Sequence, residues 1–169
     1  YDALFAPLSE EHRSKLPEDK RAYEDLLARI GKKITYVYQK ERRGFGHAVY
    51  QCREFTKNEP TLLLLGDMIY ESATSETCMT QLIHAYERTG LPVISMHEVP
   101  LDEVVHYGIL HGVWEDNEQK QLKMDAFCEK PSCEYAKEFL RVTRKNEKDN
   151  YYAVFGQYIL TKEVFEVLE

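Results

Sequence analysis

Apolar residues recur at different spacings along this 169-residue chain, and each spacing predicts a different element. Tyr23, Leu26, Leu27 and Ile30 return every three or four positions, the stripe of an amphipathic helix. That helix is expected to start at Pro17, followed by Glu18 and Asp19, and to stop at Gly31. "ITYVYQ" (34–39) is rich in β-branched and aromatic residues and predicts a strand, followed by a helix over "GHAVYQCREF" (46–55). Leu62 to Leu65 do not alternate with polar residues, so the strand they form is expected to be buried on both faces, as in a parallel sheet. "SETCMTQLIHAYERTG" (75–90) predicts a helix capped by Ser75 or Thr77 and closed by Gly90.

"LPVISMHEV" (91–99) is a further strand, and "GILHGVWE" (108–115) and "QLKMDAFCEK" (121–130) form a hairpin through "DNEQ" (116–119). "SCEYAKEFLRVTRK" (132–145) predicts a helix, "YYAVFGQYIL" (151–160) a strand, and "TKEVFEVLE" a helix capped by Thr161. Strands alternating with helices, one hairpin apart, predict an α/β fold with a mostly parallel sheet. Without repeats or a linker, residues 1–169 are expected to form a single domain.

Composition narrows the function. The formal net charge is -7, which argues against broad binding to nucleic acid or an anionic membrane, and the twelve tyrosines lack the basic stripe a base-stacking surface would need. No apolar run reaches the roughly 18 residues of a membrane helix. Cys52, Cys78, Cys128 and Cys133 are scattered, which predicts reduced thiols and a cytoplasmic location rather than a disulfide framework. His106, His111, Cys128 and Cys133 match no usual zinc spacing. Trp114, on a hairpin strand, is expected to be a packing residue.

Three stretches carry candidate chemistry. "LLLLGD" ends a buried strand on Gly66 and Asp67: either a plain turn, or a carboxylate at the sheet edge where ligands sit. "QKERRGFGHAV" (39–49) sets Gly44 and Gly46 between a strand and a helix, where backbone N–H groups can meet a phosphate or a base. "CEKP" (128–131) closes a strand with Glu129, able to accept hydrogen bonds from sugar hydroxyls, and Lys130, able to hold a phosphate as a point charge.

Taken in order, "GFGHAV", "LLLLGD", "YGI", "EKP" and "FGQYIL" resemble the bacterial UTP–glucose-1-phosphate uridylyltransferases (UDP-glucose pyrophosphorylases), over about Ile34 to Glu169. The resemblance implies a Rossmann-like sugar nucleotidyltransferase fold, here incomplete, and transfer of a nucleotidyl group from UTP to glucose 1-phosphate, with Mg2+ as cofactor. It implies that Gln39 and Gly44 meet the uracil, with His47 in the same loop, and that Asp67 is the metal ligand. Tyr107 and Gly108 would lie along the sugar. Glu129 would accept its hydroxyls, Lys130 would grip its phosphate, and Asn150 and Gly156 would line the same pocket. Alternatives are another nucleotide or hexose phosphate, or a binding module without catalysis.

The chain starts at Tyr1 without methionine and stops inside a predicted helix, so it reads as part of a longer protein. The family's amino-terminal glycine-rich loop and second metal-binding aspartate have no counterpart here. The isolated chain is therefore expected to be inactive, and to form a homo-oligomer that covers an exposed sheet edge.

Overall fold

The computed structural model describes residues 2–115, 118, 120–144 and 149–169. They fall into two compact units, Tyr1–Gln51 and Cys52–Glu169.

The first unit is helical. α1 spans Asp2–Phe5, α2 Glu10–Ser14 and α3 Glu18–Gly31. Arg13 of α2 pairs with Glu24 and Asp25 of α3, and its guanidinium holds the Asp25 carboxyl below the usual carboxylate range. Gly31 is the last residue of α3 and not its stop. A Cβ there would lie 2.7 Å from the Phe5 Cβ and 2.9 Å from the Phe5 carbonyl oxygen, so the glycine lets α1 pack closely on α3. The strand expected over 34–39 is absent. β propensity becomes a strand only where a ladder partner exists, and the observed pairings all lie between residues 61 and 160. α4 (Phe45–Tyr50) follows, and the expected helix over 46–55 is broken at Gln51 and Cys52.

The second unit is a sheet with helices. After the single-turn α5 (Arg53–Thr56) come β1 (Thr61–Leu64), α6 (Cys78–Thr89) and β2 (Val93–Val99), and then a 3-10 segment over Leu101–His106. The hairpin strands β3 (Gly108–Trp114) and β4 (Leu122–Glu129) pair antiparallel, and Asp116, Asn117 and Gln119 of their predicted turn lie outside the described residues. α7 covers Cys133–Phe139, β5 Val142–Thr143, β6 Asp149–Leu160 and α8 Lys162–Leu168.

The helix expected over 132–145 ends early because Val142 leaves it to pair with Asn150 and bury itself against Leu110 and Tyr152; Lys145 lies outside the described residues. α6 is capped by Thr77, whose Oγ1 accepts from the Thr80 N–H, and is closed by Gly90 in the left-handed region. Thr161 occupies the cap position of α8, although its side chain makes no capping bond.

The mostly parallel sheet is not what forms: every observed pairing is antiparallel. β1 and β2, joined through α6, do run the same way. β6 lies between them and runs oppositely, with β1 and β3 along one edge and β2 along the other. β1 is also not buried on both faces; its pairing is with β6, and Leu64 is 41% exposed. The two-faced burial belongs to β6 and β3. Tyr151, Ala153 and Ile109 pack under α7 with Val104 and Leu140, while Tyr152 and Leu110 face the opposite side with Val142. Trp114 packs there edge-on against Tyr152, at 5.5 Å between ring centres. Among the described residues, no helix is long and apolar enough to cross a membrane.

Candidate functional site

Two of the sequence-predicted groups assemble locally, one in each unit. In the first, Gly44 caps α4 at φ 99°, a backbone conformation that favours glycine, and a Cβ there would meet open space. The Gln39 amide donates to the Gly44 carbonyl at 3.1 Å and meets Nδ1 of His47 at 2.9 Å. The other ring nitrogen of His47, Nε2, meets the Gln51 amide at 3.2 Å, and that amide also donates to the His47 carbonyl. Gln39, Gly44 and His47 thus form one closed loop. The polar edge expected to read a base is turned onto its own chain.

In the second unit, hairpin pairing joins "YGI" to "EKP". Gly108 stands opposite Glu129, and the Lys130 N–H donates to the Tyr107 carbonyl at 2.9 Å. A Cβ on Gly108 would lie 2.9 Å from Glu129 Oε2 and 2.7 Å from the Phe127 ring, so the carboxylate folds over bare backbone. Lys130 adopts φ 49°, unusual for a residue with a side chain. Such positive-φ residues gather at functional sites.

Asp67 sits exposed in the turn directly after β1. That turn is fastened to β6 at Gly156. The Leu65 N–H and the Tyr70 hydroxyl both donate to the Gly156 carbonyl, at 3.0 and 2.8 Å. Gly156 has φ +60°, and the space a Cβ would fill is taken by Met68 Sδ, the Tyr70 hydroxyl and Leu65 Cδ1. The close approach at Gly156 is therefore made by the Asp67 turn. Asn150 is not brought into this group; it pairs with Val142 at the far end of β6, about 20 Å from Gly156 at the usual strand rise.

Sequence reasoning named Tyr107 but missed His97, Phe155 and Tyr70, whose rings link these segments. Tyr107 packs edge-on against His97 at 5.7 Å, His97 against Phe155 at 4.8 Å, and Phe155 against Tyr70 at 5.4 Å. Burial pushes the His97 imidazole below its ordinary pKa. The Tyr158 hydroxyl is pushed up, first by burial and then by neighbouring Tyr70 and Glu129. No spacing in the sequence marks these contacts, which join residues far apart in the chain.

Beside the Asp67 turn, a cleft of about 330 Å³ opens between Tyr70, Glu71, Thr77, Met79 and Gln157. Gln157 is 1% exposed, with both amide atoms unpartnered. Asp67, Glu129 and Lys130 are not among the residues lining that cleft.

Among the described residues, no three His, Cys, Asp or Glu side chains gather to hold a metal. Asp67 alone cannot cage an ion. One exposed carboxylate does suit magnesium, which binds through one or two carboxylates plus a nucleotide's phosphates.

Comparison with known proteins gives this geometry a family. A nucleotidyl transferase family model matches residues 9–169. A UTP–glucose-1-phosphate uridylyltransferase of Staphylococcus haemolyticus is 35% identical over 156 residues, covering 89% of this chain and 49% of that protein. A second such enzyme, from Staphylococcus saprophyticus, is 36% identical over 135 residues, covering 80% of this chain and 41% of the relative. The chain thus spans about half the length of these relatives. Among solved structures, apo UDP-glucose pyrophosphorylase superposes with a TM-score of 0.77 at 26% identity, covering 99% of this chain and 57% of the other. A UDP-glucose complex of UDP-glucose pyrophosphorylase gives 0.71 at 27% identity, covering 94% and 56%. With the match running over residues 9–169, the chain belongs to the nucleotidyl transferase family.

Proposed function

We propose that the full-length protein transfers a uridylyl group from UTP to glucose 1-phosphate, giving UDP-glucose and pyrophosphate. The observation that carries this reading is the backbone bond from Lys130 to Tyr107. It joins "YGI" to "EKP" and sets a carboxylate and an ammonium at one strand end, in a chain whose relatives bear that activity in their names.

The sugar phosphate is dianionic at neutral pH, so its oxygen attacks the α-phosphorus without a general base, and the bond to the β-phosphate oxygen breaks as pyrophosphate leaves. Catalysis then rests on in-line positioning and charge neutralisation. Lys130 holds the nucleophilic phosphate. Glu129 accepts from sugar hydroxyls over the bare Gly108 backbone, with Tyr107 beside it. Gln39, released from the Gly44 carbonyl, reads the polar edge of the uracil, and His47 orients that amide. Asp67 would hold magnesium, which when bound neutralises charge on the phosphoryl oxygens.

The test is pyrophosphate release by the full-length protein from UTP and glucose 1-phosphate with magnesium, alongside a panel of other nucleotides and hexose phosphates. Release that is fastest with this pair is expected. A preference for another pair would correct the substrate, and no release with any pair would overturn the reading.

A further inference from the structure

The Asp67 turn and the Gly108–Glu129 strand end lie on different strands, and Tyr70 touches what joins them. Its hydroxyl donates to the Gly156 carbonyl at 2.8 Å, fixing the turn to β6 three residues beyond Asp67. Its ring meets Phe155, and the contacts continue through His97 to Tyr107, the residue whose carbonyl receives the Lys130 N–H. Gly156 has space for the tyrosine hydroxyl because it carries no Cβ. The Gly156 carbonyl also keeps the Leu65 N–H, so the fold does not depend on the tyrosine for its satisfaction.

We propose that Tyr70 is a positioning residue, which sets the Asp67 carboxylate on β6 and couples its place to that of the Tyr107–Lys130 segment. The proposal rests on the functional reading above, in which Asp67 serves the metal and Lys130 the sugar phosphate. The hydroxyl acts on the turn and the ring acts on the aromatic chain, so the two can be removed separately.

The experiment uses full-length protein as wild type, Tyr70→Phe and Tyr70→Leu. Mn2+ binding in the presence of UTP is followed by electron paramagnetic resonance, with KM for glucose 1-phosphate, kcat and thermal midpoint measured in parallel. Tyr70→Phe keeps the ring and loses one hydrogen bond, so Mn2+ affinity should fall about three- to tenfold with KM for the sugar phosphate unchanged. Tyr70→Leu should weaken Mn2+ binding and also raise that KM. A merely structural tyrosine would lower the thermal midpoint and leave both constants at wild-type values, which would overturn the proposal. Wild-type protein that neither binds Mn2+ with UTP nor releases pyrophosphate would overturn the functional reading, and the positioning role with it. A working wild type with an indistinguishable Tyr70→Phe would sink the positioning role alone.

Discussion

Replacing Gly156 by alanine perturbs two things at once, and their sizes can be separated. The backbone sits at φ +60°, where a side chain costs about 1–2 kcal/mol. The new Cβ also enters space held by Met68 Sδ, by the Tyr70 hydroxyl at 2.8 Å and by Leu65 Cδ1 at 3.2 Å. Met68 has a flexible end and can move. Tyr70 cannot move without losing its bond to the Gly156 carbonyl, so crowding adds about 1–2 kcal/mol. The expected total is about 3 kcal/mol, a large part of the roughly 5–15 kcal/mol that holds a typical protein folded. Chemical denaturation of the wild type and Gly156→Ala measures it. Repeating the pair in a Tyr70→Phe background should recover about 1 kcal/mol, because the crowding hydroxyl is gone while the backbone cost stays. A Gly156→Ala change below about 0.5 kcal/mol, within the range of ordinary surface substitutions, would show that the left-handed turn does not constrain this strand.

Three further outcomes are expected. Asp67→Ala, at an exposed turn, should lower turnover of the full-length protein by at least about 100-fold while moving stability by less than about 0.5 kcal/mol; pyrophosphate release and melting curves check both. Thr77→Ala removes the Oγ1 that accepts from Thr80 and should cost about 1 kcal/mol by denaturation. His97 is held neutral by burial: above about pH 6.5 both folded and unfolded states are unprotonated there, while below it the unfolded chain takes up a proton that the folded state resists. Stability should therefore fall as pH drops from 7.5 to 5, and His97→Phe should flatten that fall; equal slopes in wild type and variant would remove His97 as the cause.

What could be read from the sequence was mostly local. The α3 stripe and the Thr77 and Gly90 ends of α6 are decided within a few residues, and each emerged close to where expected. "LLLL" located β1 but not its surroundings, because burial on two faces depends on what packs against a strand. "YYAVF" carries the same pattern and is the stretch buried on both sides. The sheet's direction was lost for a related reason: alternation fixed β1 and β2 as co-directional, and nothing local says that β6 inserts between them. At the site, Gly108 meets Glu129 through a hairpin, a short-range pairing the sequence could signal. The seating of the Asp67 turn on Gly156 joins distant segments, and Tyr70, His97 and Phe155 gain their roles only from that closure.

The central position of β6 also governs the order in which this chain can acquire structure during synthesis. The β3–β4 hairpin has both strands in hand early and can close in about 1–10 μs. β1, β2 and β3 each take a ladder from β6. Thr61 waits for Leu160, about a hundred residues later, or roughly 5–20 s at ordinary elongation rates. Through that interval the leucine run of β1 lacks the strand it will pair with. Its apolar side chains and backbone groups gain that partner only when the last β6 residues emerge.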